Sequence, residues 1–150
     1  MAFYILLGCL FFSILSTGSY WYTQLIHYPL FKIVGPKDFN DYYRQHNKRE
    51  WILAWLPNIL AGLLAFGLIS YKPFGISRDD IYVLSGLILG TILVSAILIL
   101  PQLKILSQHG YSYVVIQKLV YLNWFRTILW TLISGFVLWL LLSYVETLKM

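Results

Sequence analysis

Four long runs without Asp, Glu, Lys or Arg divide this sequence of 150 residues. They contain 31, 21, 23 and 19 residues, at 1–31, 51–71, 81–103 and 127–145. A helix needs about 20 mainly apolar residues to cross a bilayer, and lipid offers no hydrogen-bond partner to an open backbone. The runs therefore predict a single transmembrane domain, residues 1–150, with helical spans at about 3–27, 51–71, 81–102 and 123–145.

Composition excludes several other classes of protein. Hydrophobic residues make up 59% of the chain and charged residues 11%, whereas a soluble domain has about 25% charged residues. These values exclude a soluble enzyme, a disordered tail and a nucleic-acid-binding module. Cys9 is the only cysteine, which excludes an intrachain disulfide and a cysteine metal cluster.

The polar segment between the first two runs, residues 36–50, predicts a further helix. One face of that helix is aromatic, because four residues recur at the spacing i, i+3, i+4 and i+7: Phe39, Tyr42, Tyr43 and His46. Charged and polar residues occupy the other positions, a pattern typical of an amphipathic helix at a membrane surface. The predicted fold is therefore all-α. It is an integral membrane four-helix bundle, up-down-up-down, with a short amphipathic interfacial helix between helices 1 and 2.

The distribution of cations predicts the orientation in the membrane. Of the 11 Lys and Arg residues, eight lie on the side of the two long connections: Lys32, Lys37, Arg44, Lys48, Arg49, Lys104, Lys118 and Arg126. Cytoplasmic loops of membrane proteins carry an excess of these residues. We therefore expect the long connections in the cytoplasm and both termini outside. The net charge of +5 then reflects topology, with no nucleic-acid partner.

Polar side chains of all four predicted helices collect on this cation-rich side. They are Gln24 and His27 in helix 1, Asn58 in helix 2, Gln102 ending helix 3, and Asn123 with Arg126 opening helix 4. Polar residues inside a membrane usually face the bundle interior and contact one another. This predicts a polar pocket near the cytoplasmic face, covered by the amphipathic helix with His46 and Arg49. The alternative is that these side chains only cap helix ends and hydrogen-bond to their neighbours.

Two of these residues offer the most chemistry. The planar guanidinium of Arg126 is suited to holding a carboxylate, phenolate or enolate oxygen, although an arginine here can also extend to lipid phosphates. His27 precedes Tyr28-Pro29, where the helix loses a backbone hydrogen bond. It fits a general base, a haem or metal ligand, or an ordinary interfacial histidine.

Sequence motifs for metal binding are absent. There is no His-x-x-His or Glu-x-x-His pattern, and the nearby acids, Asp38, Asp41 and Glu50, lie outside the predicted spans. A diiron carboxylate centre needs acidic ligands on facing helices, so this reading is weak. Ligation of a haem or metal by His27 and His46 stays open, without a motif behind it. The expected cofactor is therefore none or haem.

Four short motifs stand at the ends of the predicted helices: Gln24-Leu-Ile-His-Tyr-Pro-Leu-Phe31, Phe39…Tyr43…His46…Arg49, Pro101-Gln102 and Asn123-Trp-Phe-Arg-Thr127. In these motifs the chain resembles the anthrone-oxygenase-like family of small four-helix membrane proteins, most of unknown function. Some fungal members are implicated in oxidising anthrones to anthraquinones. The resemblance implies His27 and Arg126 as catalytic residues, with Asn123 beside Arg126. A histidine would deprotonate a polycyclic phenol, and Arg126 would hold the anion before it reacts with oxygen.

Three functional hypotheses follow. The first is a membrane oxidoreductase or oxygenase-like protein acting on a hydrophobic aromatic or quinone-like molecule; its substrate-binding residues would be Gln24, His46, Arg49, Asn58, Gln102 and Asn123. The second is a non-enzymatic accessory subunit of a larger membrane complex, or a homo-oligomer, because Gly86 and Gly90 form the GxxxG pattern of close helix contacts. The third is a haem-binding membrane protein, since the four-helix protoporphyrinogen-oxidase-like proteins are similar in size and topology.

Overall fold

A computed structural model of the chain describes residues 1–149, without the side chains of Trp51 and Ala54. The described residues form helices and no strands. The helices are α1 (Ala2–Tyr22), α2 (Tyr28–Ala54), α3 (Leu56–Ser70), α4 (Arg78–Val94), α5 (Leu100–His109) and α6 (Tyr113–Thr147). The all-α prediction is confirmed.

Two π-helical turns join consecutive helices without a break: Thr23–His27 links α1 to α2, and Ser95–Ile99 links α4 to α5. Each turn ends two residues before a proline, Pro29 or Pro101. In each, the residue just before the proline donates its N–H to a carbonyl five residues back. A proline ring clashes with the carbonyl four residues before it, and the wider π turn displaces that carbonyl. The helices therefore pass both prolines.

The chain reverses direction at Gly35, inside α2. This residue has φ 75° and ψ 163°, a conformation that is essentially restricted to glycine. The two halves of α2 consequently pack against each other, and the ring of Phe31 meets those of Phe39 and Tyr43 with centroids 5.9 Å away in both cases. Phe39 is fully buried by this contact.

The predicted amphipathic helix therefore differs in its packing from the prediction. Residues 36–50 are helical, but they continue through Ala54 as the second half of α2 and do not form a separate short helix. The aromatic face was expected to lie on the membrane surface; Phe39 and Tyr43 are instead buried against the protein. The physical reason is that Phe31 and α5 offer this face an apolar surface, and Tyr43 donates a hydrogen bond of 2.9 Å to the Leu103 carbonyl.

Helix α6 runs antiparallel to the first helix over most of its length. Thr17 donates to the Trp130 carbonyl at 2.8 Å, and Gln24 donates to the Val120 carbonyl at 3.1 Å. With 35 residues, α6 is about 50 Å long and exceeds the ~30 Å hydrocarbon core of a bilayer. It begins ten residues before the predicted start at 123, so the bundle extends beyond the apolar runs on the cation-rich side.

Within the described part of the chain, three helical stretches are long and apolar enough to span a membrane: Ala2–Glu50, Arg78–His109 and Tyr113–Thr147. The run at 51–71 is different, because α2 ends at Ala54 and α3 has only 15 residues. Pro57 lies in the first turn of α3, where its missing N–H interrupts the hydrogen-bond pattern of the preceding helix. Large apolar side chains point outward from all of these helices, in agreement with contact to a lipid bilayer; examples are Phe11, Phe66, Ile97 and Leu132.

The interior contains two apolar clusters with a polar layer between them. The larger cluster, which includes Leu6, Leu84 and Trp130, fills the end of the bundle near the termini. The smaller one, here called the aromatic cluster, fills the cation-rich end and consists of Tyr28, Phe31, Phe39, Tyr43, Leu106, Ile116 and Leu119. The polar layer consists of Gln24, Asn58, Asn123, Arg126 and Thr127, all buried.

Candidate functional site

Two histidines and a glutamate meet on one side of the bundle. The Nε2 atoms of His27 and His46 are 3.2 Å apart, and Nε2 of His46 is 2.9 Å from Oε2 of Glu50. His27 comes from the first π turn, while His46 and Glu50 lie one turn apart on α2. The side chains of His46 and Glu50 are only 11% and 16% exposed. We call these three residues the His–His–Glu cluster.

The local fold explains why residues 19 positions apart meet here. The reversal at Gly35 brings the second half of α2 back alongside the π turn. Phe31 then contacts both imidazoles with its edge-to-face ring, with centroids 4.9 Å from His27 and 5.3 Å from His46. Because Phe31 is fully buried in the aromatic cluster, it holds both rings in fixed positions.

The proton count of the cluster determines its chemistry. An ionised carboxylate only accepts hydrogen bonds, and the Nε2 atom of a neutral imidazole either donates or accepts, never both. Glu50 therefore favours the tautomer in which Nε2 of His46 carries the proton, which leaves Nε2 of His27 unprotonated and facing it. When His27 takes up a proton, the negative charge of Glu50 stabilises the imidazolium that forms. The cluster is thus suited to accept one proton from a bound molecule.

A groove of about 660 Å³ lies between α1 and α2, and the cluster stands at one end of it. Binding sites for small molecules commonly have volumes of about 300–1,000 Å³. The groove is lined by Ile14, Leu15, Gly18, Ser19, Tyr22, Thr23, His27, His46, Arg49, Glu50 and Leu53. Several of these, among them Ile14 and Leu53, are exposed on the outside of the bundle. The groove is therefore open sideways, on the outer surface of the bundle, and we call it the lateral groove.

Inside the bundle, the polar layer fastens α1 to α3 and α6. Asn123 donates to Oε1 of Gln24 at 2.9 Å, and Gln24 donates in turn to α6. Asn58 of α3 donates to the hydroxyl of Tyr20. These amide and phenol contacts join three helices at one depth, which makes the layer a structural element of the bundle.

Arg126 occupies the centre of this layer and is 4% exposed. Its guanidinium lies over the ring of Tyr20, 4.3 Å from the centroid, and also interacts with the phenol oxygen of Tyr28. Nε of Arg126 has no hydrogen-bond partner among the described residues. A buried cation requires compensation, and here it comes from the two tyrosines together with the electrostatic attraction of Glu50.

The predicted site residues fall into two groups in the structure. His27, His46 and Arg49 line the lateral groove, whereas the polar layer contains Gln24, Asn58, Asn123 and Arg126. Gln102 is buried on α5, and no hydrogen bond joins it to the layer within the described part of the chain. Arg126 was predicted to hold a substrate anion, but it lies beneath the tyrosines and is not among the residues that line the groove.

Sequence reasoning missed Glu50. It was set aside because it lies outside the predicted spans, yet its carboxylate reaches His46 and lines the groove. The spacing of four residues between His46 and Glu50 indicates a shared helix face, and this was the available sign. His109, the third histidine, is exposed at the end of α5.

The cluster does not fit the cofactors considered above. Among the described residues, no group of three or more His, Cys, Asp or Glu is arranged to hold a metal ion. Two imidazole nitrogens on opposite sides of one ion would be about 4 Å apart, because each metal–nitrogen bond is about 2 Å long. The Nε2 atoms of His27 and His46 are closer, at 3.2 Å, so their arrangement does not fit axial ligation of a haem.

No family model, no curated protein and no solved structure matches this chain. What the protein can do is therefore inferred from the geometry of this region alone. Its two distinctive parts are the lateral groove and the His–His–Glu cluster that stands at its end.

Proposed function

We propose that this protein is a small membrane oxidoreductase of the oxygenase type, which takes a hydrophobic phenol- or quinol-like molecule from the bilayer and removes its proton. One observation supports this above all. A groove with mainly apolar walls is open on the outside of the bundle and ends at a half-buried pair of histidines backed by a carboxylate.

In this proposal the hydroxyl of the substrate faces the histidines, and its apolar body lies in the groove against Tyr22 and Leu53. A phenol such as tyrosine has an ordinary pKa of about 10, so it ionises at neutral pH only beside a base and a stabilising charge. The histidines act as the base, and Glu50 balances the charge of the imidazolium that forms. Arg49, which lines the same end, stabilises the phenolate with its guanidinium.

The oxidation that follows uses molecular oxygen. For an anthrone-type substrate, deprotonation gives an enolate whose electrons pass to O2. One oxygen atom becomes the new ring carbonyl at the former methylene carbon, and the other leaves as water with the two methylene hydrogens. This is the reaction implied by the resemblance to the anthrone-oxygenase-like family. Arg49 takes the role of anion holder, while Arg126 acts through the buried layer as a positioning residue.

Oxygen uptake by the purified protein in lipid nanodiscs tests the proposal. The probes are anthrone and an untailed naphthoquinol, and the variant is His46→Gln. Loss of a general base reduces rates about 10²–10⁴-fold, so we expect at least a hundredfold decrease. His109→Gln is the matched control, because it changes an exposed histidine outside the groove, and its rate should stay within twofold. Absence of substrate-dependent oxygen uptake in the wild type, or full activity of His46→Gln, would contradict the proposal.

A non-enzymatic accessory subunit is the second candidate. Gly86 and Gly90 lie on α4, and a Cβ atom added to either would meet no neighbour within 4 Å. Small residues on an open helix face permit close approach of another helix. Crosslinking in intact membranes separates the candidates. An accessory subunit gives a defined adduct that Gly86→Leu abolishes, while the oxygenase requires none.

A further inference from the structure

The lateral groove is much longer than the part of it that the His–His–Glu cluster occupies. It extends along α1 from His27 to Ile14, which is 13 residues and about 20 Å of helix. The histidines and the charged side chains that line it are His27, His46, Arg49 and Glu50, and all lie at one end, where the ring of Tyr22 stacks on His27. A compact ring system placed against the cluster leaves the remainder of this length unfilled.

The remainder is shaped for a narrow apolar occupant. Gly18 lies about one third of the way along the wall from Ile14 to His27, and a Cβ atom added there would meet nothing within 4 Å. The hydroxyl of Thr23, which also lines the groove, is already satisfied by the Ser19 carbonyl at 2.8 Å. The groove therefore continues past Gly18 without a side chain that blocks it, and the polar groups on this part of its wall are the small hydroxyls of Ser19 and Thr23.

The cluster also determines the kind of headgroup. An ionised Glu50 accepts hydrogen bonds only. His46 lies between Glu50 and His27, and the unprotonated Nε2 of His27 is a second acceptor. A neutral hydroxyl donor suits this end, whereas a phosphodiester would bring a permanent negative charge against Glu50. The hydrogen-bond acceptors of the cluster thus favour a phenol or quinol, whereas the guanidinium of Arg49 at the same end attracts the anion of either kind of headgroup.

Resting on the proposed function, we propose that the substrate is a phenol or quinol with one linear apolar tail of the prenyl or alkyl class. Its hydroxyl binds at the His–His–Glu cluster, and its tail lies along α1 over Gly18 toward Ile14. The side opening of the groove leaves the tail in contact with the bilayer, so a molecule of any greater tail length also enters.

Two probes that differ only in the tail test this inference: a decyl-tailed naphthoquinol and the same naphthoquinol without a tail. Their affinities are measured in nanodiscs for wild type and for Gly18→Leu, which fills the groove beyond the headgroup. Forcing extra methylene groups into an occupied space costs about 1–3 kcal/mol, so the tailed probe should bind about 5- to 150-fold more weakly to the variant. The untailed probe should bind both proteins within twofold.

The control variant is Gly135→Leu, because Gly135 is also exposed, has no neighbour within 4 Å of an added Cβ, and lies on α6 away from the groove. It should change neither affinity. A tailed probe with a photoreactive diazirine at the tail end gives a second readout, and its adduct should map to residues 14–18 or to Leu53.

The outcomes separate the two proposals. The tailed substrate is refuted, while the proposed function stands, if both probes bind and Gly18→Leu weakens them equally or not at all. An adduct that maps outside the groove has the same meaning. If neither probe binds, both proposals fail. If only endogenous phospholipid is recovered from the groove, the headgroup argument is overturned.

Discussion

His46 and Glu50 lie one helical turn apart on α2, and their side chains meet with 2.9 Å between Nε2 and Oε2. Glu50 directly precedes the apolar run at 51–71 in the sequence, and this contact holds its carboxylate at the wall of the lateral groove. The contact also makes Glu50 the partner of any imidazolium that forms during proton transfer.

Glu50→Gln is expected to reduce turnover about 10–100-fold, because a neutral amide cannot balance the charge on the histidines. Steady-state oxygen uptake with anthrone measures this. Glu146→Gln removes an exposed carboxylate at the end of α6 and should leave turnover within twofold. Equal rates for wild type and Glu50→Gln would show that the carboxylate has no part in the reaction.

Gly35→Ala is expected to destabilise the protein by about 1–3 kcal/mol, the usual cost of forcing a side chain into this backbone region. A Cβ atom at this position would meet nothing within 4 Å, so the whole effect comes from φ 75°. Unfolding in mixed micelles with increasing SDS measures it.

Gly67→Ala is the control for the substitution at Gly35. Gly67 is helical and also has open space around an added Cβ, so alanine there should be neutral or stabilising by up to about 1 kcal/mol. Equal stabilities of the two variants would contradict the account of the chain reversal.

Arg126→Lys is expected to reduce stability by about 1–3 kcal/mol, while KM stays within about twofold of wild type. Lysine keeps the charge that attracts Glu50 but loses the planar contact with Tyr20. Unfolding and kinetics are measured on the same preparation. A large increase in KM with unchanged stability would instead indicate that Arg126 holds the substrate anion directly.

Asn123→Ala is expected to cost about 1–3 kcal/mol of stability, because it leaves the buried Oε1 of Gln24 without its donor. Asn47→Ala, at an exposed position of α2, should stay within about 0.5 kcal/mol of wild type. If the two variants unfold together, the amide pair does not fasten α1 to α6.

The sequence predicted the helical class because uncharged length alone decides it, and three of the four predicted spans are confirmed as long apolar helices. The span at 51–71 was read as continuous, since no charge marks the interruption before Pro57. Residues 36–50 were correctly predicted as helical from their spacing. Their packing depends on the backbone of Gly35, which leaves no trace in hydrophobic periodicity.

The candidate site was harder to predict for the same reason. His27 and His46 were both selected from the sequence, but their contact exists only because the chain reverses between them. Glu50 was missed because its position was judged by distance from the membrane, whereas its side chain follows the face of α2. Arg126 was selected for its charge, and burial beneath Tyr20 separates it from the groove.

The two π turns keep the buried positions of the long helices on the face that packs against the bundle. Buried positions of the first helix recur every seven residues, at Leu6, Ser13 and Tyr20, and the next in the series, Tyr28, comes after eight. Helices that pack side by side in a bundle follow such a seven-residue repeat. The extra residue is what coiled-coil analysis calls a skip, and the π turn accommodates it.

The second long helix contains the same irregularity. Leu84 and Thr91 are buried seven residues apart, Ile99 follows after eight, and Leu106 after seven again. The first skip lies at the polar layer, because its π turn contains Gln24. Deleting one residue from Thr23–His27 would restore an uninterrupted heptad and keep the bundle, but it would rotate His27 by about 100° around the helix axis. The contact between His27 and His46 therefore depends on the one extra residue in this heptad pattern.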